Sequence, residues 1–450
     1  MIVNVDLALA AAFGSCDVFM NLRALHNGEA ALARTAGSTL PSSGPVALTT
    51  QAPPPAGRRR AVTALGITQI LAWGSSFYLL AVLADPIVLD TGWPRGAVVG
   101  GISLGLLVSG VASMRIGRTI ERLGGRPVLG ASSVLLAAGL ALIAVAPSLP
   151  AYLAAWLVLG LGMGAGLYDA AFSTLGRMFG RSARSAITEV TLWGGFASTV
   201  CWPLSALLVE SVGWRGACIV YAGLHLLVAL PLHLLALPRE EVRPEAPPPA
   251  EAPAASDRNP LPPPRLFLLL ALTLTTGGAI AAVISVHLIV VLQAGGLSLA
   301  AAVGLGALIG PAQVGARVIE MLVGRRLHPL WTLTAAALLI LAGLALLALD
   351  LLVPAIALIS YGAGNGIWSI ARGAVPLELF GGSGYAALMG RLAMPIFVAQ
   401  AVAPSVAALL IVQVGAASLL VAMTLLALAN VILILCLWDA TRGLRGQPHG

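Results

Sequence analysis

Charged side chains are scarce in this chain, so the places where they stand carry information. Asp169 and Glu189 lie at the edges of two apolar runs in the first part of the sequence. Arg372 and Arg391 lie at nearly equivalent edges in the second part. Charge within or beside a long apolar run is rare and usually finds a partner. These four residues are therefore candidates for ion pairs between the two parts of the chain, Asp169 with Arg372 above all. The alternative is that each side chain snorkels to an interface on its own. A second charged pattern occurs twice: Glu121 among Arg118, Arg122 and Arg126, and Glu320 among Arg317 and Arg325. A carboxylate so placed can meet nearby guanidinium groups or the N-terminus of a facing helix, which carries partial positive charge. The alternative is a solvated basic turn.

Neutral polar side chains occupy the middles of several apolar runs. They are Gln69 and Trp73, Ser198 and Trp202, Thr275 and Thr276, Tyr361 and Asn365, and Gln400. Amides, hydroxyls and indole N–H groups need partners at such depth. The partner is either a bound solute or a neighbouring helix, and Asn365 and Gln400 are the foremost solute-binding candidates. Their uncharged character favours an amphiphilic or weakly charged organic solute over a polyanion, a preference that Arg372 or Arg391 reaching the cavity would reverse. No carboxylate stands at mid-run. Asp85, Asp90, Asp169 and Glu189 flank run ends, and with His287 they are the groups available to carry a proton.

Other chemistries find no carrier. Cys16, Cys201, Cys218 and Cys436 have neither metal-ligand nor CxxC spacing, so neither a metal site nor a disulfide is expected. Lysine is absent, and with it any GxxxxGK[ST] phosphate loop. A multi-pass enzyme would need clustered nucleophiles, acids or metal ligands, and the loops offer arginine instead. No catalytic residue and no cofactor is assigned.

The elements that position these residues follow from hydropathy. The chain has 450 residues, 58% of them hydrophobic and only 10% charged, with a mean hydropathy of +0.95. About 20 apolar residues cross a bilayer as a helix, and twelve stretches qualify: 62–84, 97–115, 128–147, 151–172, 187–209, 216–237, 266–290, 298–316, 330–349, 352–373, 387–411 and 416–437. The runs are continuous, not alternating, which excludes a β-barrel. With the N-terminus in the cytosol, 21 arginines fall in cytosolic segments and only Arg95 and Arg215 outside. Such asymmetry fixes orientation, and both termini are expected in the cytosol. The net charge of +7 is explained by these flanking arginines, so nucleic acid is not an expected partner; the lipid bilayer is.

Residues 238–265 are rich in Pro, Ala and acidic side chains and read as a solvated cytosolic linker. They divide the spans six and six. Residues 1–57 read as a disordered extension or a misassigned start, and 438–450 as a cytosolic tail. The parts 58–237 and 266–437 are self-similar. A shift of 199 places Arg118, Ile120, Glu121, Leu123, Gly125 and Arg126 on identical residues, and a shift of 201 does so for Phe179, Gly180, Ala186 and Pro203. The expected fold is an all-α membrane protein of twelve transmembrane helices in two six-helix pseudo-symmetric halves, an arrangement suited to alternating access.

The segment Gly117-Arg-Thr-Ile-Glu121-Arg122-Leu-Gly-Gly125-Arg126 closely resembles the signature loop of the major facilitator superfamily, and the copy at 315–326, with Glu320 and Arg325, stands at the matching place. Gly213-Trp214-Arg215 is similar to a frequent family feature. Thr91-Gly92-Trp93-Pro94-Arg95 loosely resembles the monocarboxylate and oxalate porter branch. Where that branch carries an acidic–basic pair in span eight, this chain has Gln313 and, at the span's end, Arg317. The resemblance implies a secondary transporter of a small solute, for uptake or efflux, with Glu121 and Glu320 latching the cytosolic side; the Ala-, Leu- and Gly-rich composition with arginine as its only strong base points to a bacterial inner membrane, and a monomer is expected. A transport-inactive sensor with the same fold is the alternative.

Overall fold

The computed structural model describes residues 55–239, 263–324, 327–349 and 354–445. Arg325, most of the expected extension 1–57 and most of the expected linker 238–265 lie outside the described residues.

Among the described residues the backbone is helical throughout, with no strand. Before residue 240 run α1 (Pro55–Gly74), α2 (Leu80–Thr91), α3 (Arg95–Leu123), α4 (Gly125–Val145), α5 (Leu149–Gly166), α6 (Tyr168–Phe179), α7 (Ala183–Gly195), α8 (Ala197–Leu224) and α9 (Leu230–Ala236). After residue 262 run α10 (Pro264–Ala294), α11 (Leu299–Gly306), α12 (Ile309–Val323), α13 (Pro329–Ala348), α14 (Pro354–Phe380), α15 (Tyr385–Val414) and α16 (Ala416–Arg445). The described residues of every expected span fall on helix, apart from short breaks. Eight helical runs are long and apolar enough to cross a membrane by length and composition, one of them the near-continuous path Leu149–Ala236.

The breaks have local causes. Proline sits in the first turns of α5, α10 and α13, where its missing N–H costs nothing. Gly124 turns the chain from α3 into α4 at φ 83°, and Gly213 bends α8 at φ 72°, a region open chiefly to glycine.

The boundaries differ from the sequence reading in two places that matter. The segment around Glu121 is helical to Leu123 and is not a loop. The expected span 298–316 continues as α12 to Val323, which places Arg317 inside a helix. A single charge after an apolar run looks like an exit from the membrane, but a helix ends only where its backbone does.

Packing relies on small residues. On α5, Gly160 meets the backbone of Gly105 on α3, while Gly166 meets Ser132 on α4. The Ser109 hydroxyl donates to the Gly160 carbonyl at 2.7 Å. Large apolar side chains such as Leu227, Leu235 and Val412 face outward, and polar ones such as Gln69, Ser109 and Thr191 are buried. That inversion suits a lipid solvent.

The helices before residue 240 touch those after 262 at the arginine-bearing end. The Ser113 hydroxyl on α3 donates to the Gly390 carbonyl on α15 at 2.9 Å. One turn on, a Cβ at Gly117 would overlap the Ala386 carbonyl, so the two helices meet backbone to backbone.

Candidate functional site

Among the described residues two arginines are buried in the interior. Arg317, on α12, is 5% exposed. Its Nε donates to the Gly366 carbonyl on α14 at 3.2 Å, and its Nη1 to the Thr191 carbonyl on α7 at 3.0 Å. Nη2 lies 3.5 Å from the Gln313 amide oxygen, one turn back on the same helix. All these acceptors are neutral. Gly195 makes room for the guanidinium, since a Cβ there would overlap Nη1.

An aromatic wall leads to this cation. The Tyr168 hydroxyl donates to the same Thr191 carbonyl at 3.3 Å. The Tyr168 ring stacks on Phe172 at 5.2 Å and lies 4.9 Å from Trp73. Trp73 lies 5.3 Å from Phe77, and Tyr78 lies 6.1 Å from the half-exposed ring of Trp202. Polar floor and aromatic wall together can hold an organic anion: charge-assisted hydrogen bonds take the acid group, and ring faces cover the carbon skeleton.

The second buried arginine, Arg372 on α14, donates through Nη2 to Oδ2 of Asp169 on α6, and both side chains are almost fully buried. The guanidinium also lies 5.7 Å from the Trp368 ring and 5.5 Å from the Phe397 ring. Among the described residues Asp169 Oδ1 and Arg372 Nε find no partner, nor does the Trp368 indole N–H. The structure thus brings Asp169 and Arg372 together. The structure does not bring Glu189 and Arg391 together. Glu189 takes Arg58 of α1 at 2.9 Å, and Arg391 is exposed. The start of α1 packs on α7 and delivers Arg58 first, a contact invisible while residues 58–60 read only as flanking charge.

The two signature carboxylates are held differently. Glu121 accepts the Ala386 backbone N–H, in the first turn of α15, at 3.3 Å. Glu320 accepts from the Thr332 hydroxyl at 2.7 Å and lies 3.6 Å from Arg184, which also donates to the carbonyls of Gly324 and Leu327 at 2.7 and 2.6 Å. Of the other signature residues, Gly125 packs on Thr174; Arg122 is exposed and Arg126 half-buried.

The mid-span candidates divide. The Gln69 amide donates to the Gly166 carbonyl at 2.7 Å and accepts from the Trp73 indole at 3.1 Å, fastening α1 to α5. Thr276 donates to Leu272 on its own helix. Tyr361 is buried where α14 crosses α13 at Gly343. Thr275 keeps a buried hydroxyl with no partner among the described residues. Ser198, Asn365 and Gln400 are half-buried, with Gln400 beside Gly278 of α10. Of the proton-carrying candidates, Asp85 pairs with Arg95, Asp90 with Arg215, and His287 with the Pro404 carbonyl at 2.8 Å.

Sequence reasoning passed over Arg317 because it closes an apolar stretch. Its spacing of four from Gln313 was the available signal, since residues one turn apart share a helix face. It also passed over His225, whose Nε2 lies 2.7 Å from the Ser75 hydroxyl, and His233, which bridges Ser133 and Thr68 at 2.9 and 3.0 Å.

Known proteins agree with this architecture. The human monocarboxylate transporter 11 is 31% identical over 179 residues, which span 39% of this chain and 34% of that protein, about a third of its length. Among solved structures, the human organic anion transporter MFSD10 (TETRAN) superposes with a TM-score of 0.64 at 20% identity, covering 85% of this chain and all of that one. The proton:xylose symporter XylE gives 0.67 at 10% identity, covering 84% and 95%. FucP in its outward conformation gives 0.66 at 14%, covering 85% and 99%. The family model for the Major Facilitator Superfamily matches residues 65–387, well over half of the chain. The chain is a multi-pass membrane protein and belongs to the Major Facilitator Superfamily, whose members are solute transporters.

Proposed function

We propose that this protein is a secondary active transporter that moves a small organic anion across the bacterial cytoplasmic membrane by alternating access. Twelve spans form two six-helix halves, 58–237 and 266–437, with both termini in the cytosol. The observation that carries the reading is Arg317: a buried cation held, among the described residues, only by neutral acceptors, at the end of an aromatic wall. A buried charge without a counter-charge is costly, and an anionic substrate supplies one. The names of the monocarboxylate transporter and of the organic anion transporter support the same class.

The conformation described is closed at the arginine-bearing, cytosolic end. Asp169–Arg372, Glu121 on the α15 N-terminus and Arg184 on the α12 C-terminus all join the halves there. Opening to the cytosol must part these contacts. Substrate entering from the other side meets Trp73, Trp202, Ser198, Thr275, Asn365 and Gln400 on the way to Arg317. Proton coupling is assigned no carrier.

The test is counterflow in proteoliposomes loaded with unlabelled aromatic or aliphatic monocarboxylates, with a pH-sensitive dye in a parallel set. Saturable labelled-carboxylate uptake, absent from empty vesicles, is the expected result. Uptake of neutral sugars or cationic drugs with none of carboxylates would overturn the anion assignment.

A further inference from the structure

We propose a site for an anionic phospholipid in the groove between α1 and α9, separate from the transport pathway. The groove encloses a cavity of about 460 Å³, lined by Arg59, Arg60, Thr63, Ile67, Leu232 and Leu235 among others, with two arginines and no carboxylate in its wall. Its charge therefore sits entirely at one end. From Arg59 to Ile67 the wall runs eight residues along α1, roughly 12 Å at the rise of an α-helix. That distance is enough to pass from headgroup level into hydrocarbon. Apart from Arg59, Arg60 and Thr63 the lining is wholly apolar: Ala64, Ile67, Pro231, Leu232, Leu235 and Ala236.

The arginines are arranged to receive a ligand. Arg60 donates through Nη2 to the Leu235 carbonyl, which ties α1 to the last turn of α9 and turns its guanidinium over the groove mouth. Arg59 is exposed and has no hydrogen bond or ion pair among the described residues. Their neighbour Arg58 is spent on Glu189 and Ser185. A phosphodiester at the mouth would meet the free Arg59 and the remaining N–H groups of Arg60, and an acyl chain would follow Ile67 and Leu232 inward. Cation and apolar slot coincide with the two ends of a phospholipid, and a soluble anion would use only the first. Each arginine near an anionic leaflet contributes about 1 kcal/mol, roughly a fivefold change in affinity.

The test uses the full chain in detergent, stripped of lipid and titrated with phosphatidylglycerol or phosphatidylcholine under native mass spectrometry. The expected result is preferential retention of phosphatidylglycerol. Affinity should fall about fivefold in Arg59→Gln and about 25-fold in Arg59→Gln/Arg60→Gln, and stay unchanged in Arg181→Gln, an exposed arginine elsewhere. Because Arg60 also braces Leu235, thermal midpoints accompany the titration. Arg59→Gln alone, whose side chain has no protein partner to lose, keeps the result readable if the double variant unfolds. Ile67→Trp, which fills the slot and leaves both charges, should also lower retention. Equal retention of the two lipids, an equal loss in Arg181→Gln, or displacement of phosphatidylglycerol by millimolar inorganic phosphate would each overturn the proposal.

Discussion

Arg372 and Arg317 are comparably buried, at 4% and 5% exposure, yet they are solved in opposite ways. Arg372 has a carboxylate, Asp169, from a helix on the other side of the linker. Arg317 has only the carbonyls of Thr191 and Gly366 and the Gln313 amide. Neutral oxygens satisfy guanidinium hydrogens without cancelling the charge. The first arginine is complete within the protein and can serve as a clasp. The second keeps its charge for something that arrives. Geometry alone does not separate the two roles; the identity of the partner oxygen does.

The largest effect is expected where the clasp is broken. Asp169→Asn or Arg372→Gln leaves one buried charge uncompensated, a loss of about 3–5 kcal/mol. Thermal midpoints in detergent should drop sharply for either. Removing both as Asp169→Asn/Arg372→Gln should be milder than either alone, and the swap Asp169→Arg/Arg372→Asp should recover part of the stability and of the transport. A double variant as damaged as the sum of the singles would show that the two side chains act independently.

Arg317 comes next. Arg317→Gln keeps hydrogen-bond donors but removes the charge, and a charge-assisted hydrogen bond is worth roughly 1.5–3 kcal/mol, or about 10- to 100-fold in substrate affinity. Counterflow of the carboxylate should fall by that factor while thermal stability holds or rises, because an unneutralised cation has been removed. Arg317→Lys should fall between. A stable Arg317→Gln protein that transports the anion at the original rate would remove the basis for the assigned substrate class.

These two residues also show what the sequence could express. Asp169 and Arg372 were readable because repeat positions and charge signs matched across a linker, which is enough to name a pairing. Arg317 was aligned by the repeat with the flanking arginines of the signature segment and read as one of them. Its burial depends on α12 continuing seven residues past the expected end and on Gly195 of another helix leaving space. Neither condition is written locally. The contact of Glu189 with Arg58 was hidden for a related reason: hydropathy marks where a helix crosses but not which neighbour packs against it. The helices themselves were legible almost throughout, because lipid imposes continuous apolar length on any span.

Smaller effects are expected at the two signature carboxylates, which repeat the contrast in weaker form. Glu121 faces a helix N-terminus, an interaction of about 0.3–1 kcal/mol, and Glu320 faces a guanidinium and a hydroxyl at the surface of the bundle. Spin labels at Leu123 and Arg391, on the α3 and α15 ends, should report a broader and longer distance distribution in Glu121→Gln. Arg184→Gln should lengthen it further, since it frees the carbonyls of Gly324 and Leu327 as well as Glu320. Unchanged distributions in both variants would mean that the α3–α15 backbone contact at Gly117 and Gly390 closes this end without them.

The smallest effect belongs to Asp90, and it sharpens the comparison by exposure. Its carboxylate accepts from Arg215 and from the Trp214 indole, the latter at 3.1 Å, and the Arg215 bond is the main cause holding its carboxyl below the usual carboxylate range, with the indole second. A group whose folded-state pKa is depressed stabilises the fold above its unfolded pKa and loses that contribution as pH falls through the folded value. The stability difference between the native chain and Asp90→Asn should therefore be present at neutral pH and vanish on acidification below the ordinary carboxylate range. Because the pair stands in water, the difference should also shrink in high salt. The buried Asp169–Arg372 pair should be far less sensitive to salt. A salt-resistant Asp90 difference would mean that the contact owes its strength to Trp214 and not to charge, so that exposure would not decide the salt sensitivity of these ion pairs.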